Sequence, residues 1–232
     1  MKIPSGEYKR MNRKKKRKDV TLVAIIAVLM LVIDQVIKVA VKTGMRLYES
    51  IHITDWFYIY FTENNGMAFG MELFGKLFLT TFRIVAVALI IWYVLKIAGK
   101  GFPKGYLVAV ALIIAGAAGN IFDCLFYGEV FSASTPRDIA SFVGWGNGYS
   151  HFGYGKVVDM LYFPLVEWDW PSWVPFLAGR HFIFFSPIFN FADSCITVGM
   201  FMVILFYSRC ISLNPPVRET SKKKKKTARK KS

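Results

Sequence analysis

The chain has 232 residues, 54% of them hydrophobic and 19% charged, with mean hydropathy +0.39, too apolar for a soluble domain of this size; it reads as a membrane protein. The net charge of +15 sits at the two ends: residues 1–19 carry +7 and residues 209–232 carry +9, leaving the middle at −1. A nucleic-acid binder needs basic side chains across its folded face, so this distribution argues against nucleic acid as a partner.

The basic runs Arg13 to Lys18 and Lys222 to Lys226 contain no apolar residues with which to build a core, so both ends are expected to lack structure. Beside membrane spans they act as topology determinants and contact anionic lipid headgroups. This divides the chain into a basic tail at 1–19, a membrane-embedded region at 20–210 and a second basic tail at 211–232. Within that region four apolar stretches, Val20 to Val41, Leu77 to Leu95, Tyr106 to Phe122 and Phe189 to Tyr207, approach the ~20 residues that cross a ~30 Å hydrocarbon layer. The first is too long for a signal-peptide core and three more follow it, so it is expected to be a retained span. The predicted fold is mainly α, a multi-pass membrane protein with four transmembrane helices, a small extracytoplasmic β-structure and a long extracytoplasmic insertion.

Both tails are basic, and the short connection after the second span carries Lys96, Lys100 and Lys104, so the positive-inside rule places all three in the cytoplasm. The connections at about 42–76 and 123–188 then lie outside. In the first, Ile51, Ile53, Phe57, Ile59 and Phe61 fall on odd positions, a period-two strand signal leading into the turn residues Asn64-Asn65-Gly66. The second holds Trp145, Trp168, Trp170 and Trp173 among many Gly and Ser, a composition suited to the membrane interface.

An ionisable side chain inside a span costs several kcal/mol, which makes each one a functional candidate. Asp34 lies ~21 Å beyond Val20 at ~1.5 Å per residue, and Asp123 ~28 Å beyond Lys104, both towards the outer face. Asp193 sits near the outer start of the fourth span. Asp159 joins this level from the apolar run Val157 to Phe163. Lys38 and Arg83 are the basic residues inside the spans, too few to neutralise these acids. Two carboxylates brought together in low dielectric share one proton, and such a pair activates water as a base and protonates a leaving amine as an acid. Cys124, Cys195 and Cys210 show neither disulfide nor metal spacing and are expected to be small buried residues. His52, His151 and His181 lack ligand spacing, so no metal is expected. Gly116 to Asn120 has the small-residue spacing of close helix packing.

In chain order, Asp34-Gln35-x-x-Lys38, Glu63-Asn64-Asn65-Gly66-Met67-Ala68-Phe69-Gly70, Ala115-Gly116-Ala117-Ala118-Gly119-Asn120-Ile121-Phe122-Asp123, Val157-Val158-Asp159 and Phe189-Asn190-x-Ala192-Asp193-Ser194 resemble the motifs of the bacterial lipoprotein signal peptidases, signal peptidase II. The resemblance covers about residues 20–208. It implies that Asp159 and Asp193 are the catalytic dyad, with Asp34, Lys38, Asn64, Gly66, Asn120, Asp123 and Asn190 around the substrate. The implied reaction removes the signal peptide of a prolipoprotein just before a cysteine carrying diacylglycerol, at the outer face of the bacterial cytoplasmic membrane. No cofactor is implied, and no oligomer is indicated.

Two departures stand out. Where the family pattern has Arg after the third block's Asp, this chain has Cys124, so Asp123 must find other partners, for which Asn120 or a backbone group of the insertion is expected. Residues at about 129–156 and 167–186 are extra, with a lid, an interface anchor or a partner surface as their possible roles. A small proton-coupled membrane transporter is the competing class, but a relay would set acids at several depths instead of one level.

Overall fold

The computed structural model describes residues 5–65, 76–176, 179–184 and 186–214. Helix α1 (Ser5–Gly44) runs unbroken from the basic segment into the first span. The N-terminal basic run is therefore helical and does not lack structure. Lys and Arg are good helix formers, and the Asp19 carboxylate accepts a 2.8 Å hydrogen bond from the Gly99 N–H, tying this end to the next helical connection. The second basic run, Lys222 to Lys226, and Gly66 lie outside the described residues.

Helices α2 (Lys76–Ile97) and α3 (Lys104–Phe122) follow, and α3 continues through a π-helical turn (Asp123–Tyr127) into the short α4 (Gly128–Val130). α1, α2 and the extended α3 are long and apolar enough to cross a membrane. The last helix, α5 (Phe191–Phe206), has 16 residues. At ~1.5 Å per residue it reaches about 24 Å, short of a full hydrocarbon layer. The expected fourth span is shorter than its apolar stretch because Phe189 belongs to a strand and Asn190 caps the helix. Val32, Phe82, Leu89, Phe201 and Leu205 are among many large apolar side chains left exposed, which requires lipid around these helices.

Helices α3 and α5 approach closely through glycine. A Cβ on Gly116 would collide with the Ala192 carbonyl oxygen, and one on Gly119 with the Asp34 carboxylate. The small-residue stripe thus brings two helix backbones together and leaves room for an acid from a third helix.

Strands β1 (Ser50–Thr54), β2 (Phe57–Asn64), β3 (Val157–Tyr162), β4 (Val166–Asp169), β5 (His181–Phe184) and β6 (Ile188–Phe189) make two antiparallel sheets. The larger has the order β1-β2-β3-β6, and the smaller pairs β4 with β5. The alternation at residues 51–61 is two strands, a hairpin that turns at Asp55-Trp56. The β4–β5 hairpin lies between Asp159 and Asp193 in the chain, and a Trp168, Trp170 and Phe182 ring cluster gathers on it.

Two apolar cores bracket a polar layer. One gathers Val23, Val94, Ile97, Tyr106, Leu107 and Val110; the other gathers Val41, Met45, Phe61, Tyr127, Val158 and Met160. Along α1 the residues between these cores include Asp34 and Lys38, and along α3 they include Asn120 and Asp123. Residues 131–156 fold back over the end of α3, with the Ser150 N–H donating to Gly128 O at 2.9 Å and the Gly155 N–H to Cys124 O at 2.8 Å.

Candidate active site

The first turn of α5 is held by two acids. Asn190 caps the helix, its side-chain oxygen accepting from the Asp193 N–H at 2.9 Å while the Asp193 carboxylate accepts from the Asn190 N–H at 3.3 Å. Asp34 Oδ1 accepts from the Ala192 N–H at 2.9 Å. Helix N-termini offer unpaired N–H groups and a positive dipole end, so both carboxylates are favoured there, and a cap of this kind contributes about 1 kcal/mol. Asp193 is thereby fixed in one orientation.

Asp159 lies on β3, opposite Thr62 of β2, and is buried. Two asparagine amides connect it to Asp193. Asn190 Nδ2 donates to Asp159 Oδ1 at 2.6 Å and to Asn120 Oδ1 at 3.2 Å, and Asn120 Nδ2 donates to Asp193 Oδ1 at 2.8 Å. The neighbours dictate the direction of both amides. The Lys38 ammonium can only donate, so at 2.7 Å it selects the oxygen of Asn120 and turns Nδ2 towards Asp193. The Asp193 N–H selects the oxygen of Asn190 and turns Nδ2 towards Asp159. Each acid thus receives a hydrogen bond from a preset donor.

Burial raises the Asp159 pKa to about 7, and the nearby charge of Asp193 adds to the rise against hydrogen bonds from Asn190 and Asn64 and the field of Lys38. Asp159 therefore holds a proton far above the usual carboxylate range. Asp193 is half-buried, on the more open side of the pair.

Asp34 and Asp123 lie behind the pair. Lys38, fully buried, bridges them at 3.0 Å and 2.7 Å, and Gln35 Nε2 donates to Asp34 at 3.1 Å and to Asp123 at 2.9 Å. This corrects the expectation that Lys38 and Arg83 are too few to neutralise these acids: Lys38 alone bridges two of them. The partners of Asp123 are Lys38, Gln35 and, at 3.5 Å, the Val158 N–H, instead of Asn120 or a backbone group of the insertion. The thiol of Cys124 is buried, and Arg83 of α2 places Nη1 3.9 Å from it. A guanidinium therefore occupies this corner, supplied by a different helix. Cys195 and Cys210 are also buried free thiols.

A second buried ionic cluster lies on the other face of β2. Glu63 Oε1 pairs with Lys42 at 2.5 Å and accepts from Ser134 Oγ at 2.8 Å, while Oε2 pairs with Lys156 at 3.2 Å. Tyr149 covers it, its ring 5.0 Å from Lys42 Nζ and its hydroxyl accepting from the Lys156 N–H at 2.6 Å. Burial works against the charge of Glu63, but Lys42, Ser134 and Lys156 outweigh it and lower its pKa. Sequence reading missed Lys42, Ser134, Tyr149 and Lys156 in this cluster, and quoted Gln35 only within the Asp34 motif without its contacts to Asp34 and Asp123. The positions of Asp34, Lys38 and Lys42, each four residues apart on one helix face, were the available signal. Among the described residues no group of His, Cys, Asp and Glu is gathered as metal ligands are.

Residues 26–209 match the family model described as signal peptidase (SPase) II. The chain is 50% identical over 193 residues to a lipoprotein signal peptidase of Porphyromonas gingivalis, covering 83% of this chain and 85% of that one. It is 36% identical over 201 residues to a lipoprotein signal peptidase of Amoebophilus asiaticus, covering 84% and 80%. A solved bacterial membrane enzyme, determined by the in meso method at 1.9 Å, shares the fold with TM-score 0.53 and 24% identity over 79% of this chain and 90% of that one. A buried layer of acids and amides, helices apolar and long enough to cross a membrane and these matches agree: the chain belongs to the signal peptidase II family, membrane proteases that process the signal peptides of prolipoproteins.

Proposed function

We propose that the protein is an aspartic endopeptidase in which Asp159 and Asp193 are the catalytic dyad. The observation that carries this reading is the pair itself: two carboxylates on different elements, each receiving an oriented Asn amide, with the buried one holding its proton to about pH 7. One acid is ionised and takes a proton from water as it attacks the scissile carbonyl. The other is protonated, and a proton from the dyad passes to the leaving amine as the C–N bond breaks. Asn64, Asn120 and Asn190 hold the dyad and border the substrate. Asp34, Lys38 and Asp123, buried and paired with one another, position that layer from behind.

The substrate is a prolipoprotein cleaved before its diacylglyceryl cysteine. Each acyl CH₂ kept in lipid is worth ~0.8 kcal/mol, so the lipid supplies much of the binding and draws the scissile bond to membrane level. Purified enzyme is expected to release the signal peptide from a lipidated precursor and to leave the unlipidated one almost uncut, read by mobility shift. Equal cleavage of both rejects the substrate reading.

The pH profile follows from the dyad. The active form holds one proton on the pair; it is lost as pH rises through the raised Asp159 value, so kcat/KM should fall on the alkaline side with a midpoint near 7. A second proton silences the base on the acid side. A flat rate from about pH 4 to 10 contradicts the mechanism.

Orientation follows the charge on the tails and on the α2–α3 connection: both termini in the cytoplasm and the site at the outer face of the bacterial cytoplasmic membrane. With the native cysteines replaced, a Cys introduced at Ser150 should react with an impermeant thiol reagent in intact cells, and one at Ser232 only after lysis. The reverse labelling puts the dyad on the wrong side.

A further inference from the structure

The cluster around Glu63 touches neither dyad carboxylate, yet the same strand serves both. Glu63 and Asn64 are successive residues of β2, so their side chains leave opposite faces of the sheet. Glu63 meets Lys42 of α1, and the Asn64 side chain hydrogen-bonds Asp159. The pairing of β2 with β3 is irregular between Ile59 and Thr62 and resumes as Thr62 opposite Asp159, Glu63 opposite Val158 and Asn64 opposite Val157. Beyond such an irregularity a short strand end has little to fix its register, and a slip of one residue exchanges the two faces. That slip would turn Asn64 away and aim the Glu63 carboxylate at Asp159.

Both Glu63 oxygens are committed, one to Lys42 and Ser134 and the other to Lys156. Such a buried ionic cluster adds little net stability over an apolar replacement, because desolvation offsets the attraction, and fixing register is its best-attested use. Its partners come from α1 and from the segment at 131–156, which lies between the Asp123 and Asp159 motifs. We propose that Lys42, Glu63, Ser134 and Lys156 form a register pin that positions Asn64 on Asp159, and that the segment at 131–156 acts on catalysis through it. The proposal rests on the assignment of Asp159 and Asp193 as the dyad.

The groups facing Glu63 are Lys42 from α1, Ser134, Tyr149 and Lys156 from the segment at 131–156, and the charge of Lys76 at the start of α2; those acting on Asp159 are Asp193, Asn190, Asn64 and Lys38. Glu63→Gln replaces one anchoring oxygen with an amide NH₂ that cannot accept from lysine. If the pin slackens, Asp159 loses the hydrogen bond from Asn64 that lowers its pKa, and the alkaline limb of kcat/KM moves up. A direct field effect has the opposite sign, since removing a negative charge beside two lysines favours ionised Asp159 and moves the limb down. The expected result for Glu63→Gln is a kcat about tenfold lower, with KM little changed, and an upward-shifted limb matching that of Asn64→Ala. The double variant should show no further shift. An unchanged limb, a downward shift, or shifts that add in the double variant overturn the pin. Lys156→Met, at a partly exposed position, decides the matter if Glu63→Gln does not fold: its upward shift should vanish in the Asn64→Ala background, and a shift that persists there overturns the proposal. Asp159→Asn is assayed beside them. Retained turnover in that variant overturns the dyad and the pin together, whereas an inactive Asp159→Asn with a wild-type profile in Glu63→Gln overturns the pin alone.

Discussion

Asp159→Asn and Asp193→Asn are each expected to lower turnover by about 10³-fold or more while the protein still folds and inserts. The geometry separates the two effects. An Asn at position 193 keeps an oxygen to accept from the Asn190 N–H, so the α5 cap survives, and an Asn at 159 keeps an oxygen for Asn190 Nδ2. What each variant lacks is an ionisable group. Neither amide can take a proton from water or give one to a leaving amine, so the loss should fall on kcat, with lipidated precursor still bound. Cleavage assays at saturating precursor, with thermal unfolding in detergent as the folding control, provide the check. Turnover near the wild-type value in either variant removes that residue from the dyad.

Lys38→Met should have the larger effect on stability. The ammonium is fully buried and satisfies Asp34, Asp123 and the Asn120 oxygen at once. Removing it leaves two carboxylates facing each other without a countercharge, a change that costs about 3–5 kcal/mol for a broken buried pair. That is a large part of the 5–15 kcal/mol that holds a typical domain together. The expected outcome is a markedly lower unfolding midpoint and a poor yield of monodisperse protein. Pairing the substitution with Asp34→Asn and Asp123→Asn should recover much of the loss, because the buried charges then disappear together. A midpoint unchanged in Lys38→Met contradicts the bridging role.

How much of this was legible in the sequence varies by residue. The period-two alternation announced strands at 51–61 but not their reversal, because Asp55-Trp56 lacks the glycine that marks a tight hairpin turn. The basic N-terminal run read as structureless on composition alone, yet its straight-chain residues suit a helix once a span anchors one end. Lys38 was visible as a rare intramembrane cation. Its service to two acids was not, since Asp123 lies 85 residues away and the geometry exists only after α1 and α3 pack. Ser134, Tyr149 and Lys156 follow no periodic pattern and gain meaning only through the folded position of Glu63.

The two asparagines between the acids have a consequence for proton traffic. An amide NH₂ gives its hydrogen bond without surrendering the hydrogen, so Asn120 and Asn190 transmit orientation from Lys38 towards the dyad but conduct no protons. If Asp159 and Asp193 are the proposed dyad, these two amides offer it no proton path from Lys38. A proton taken from water has to be returned to product, or exchanged with solvent, from the side where Asp193 is half-exposed. In the proposed mechanism each cycle then exchanges its proton at the mouth of the site, and the buried ammonium acts on the acids by its field alone.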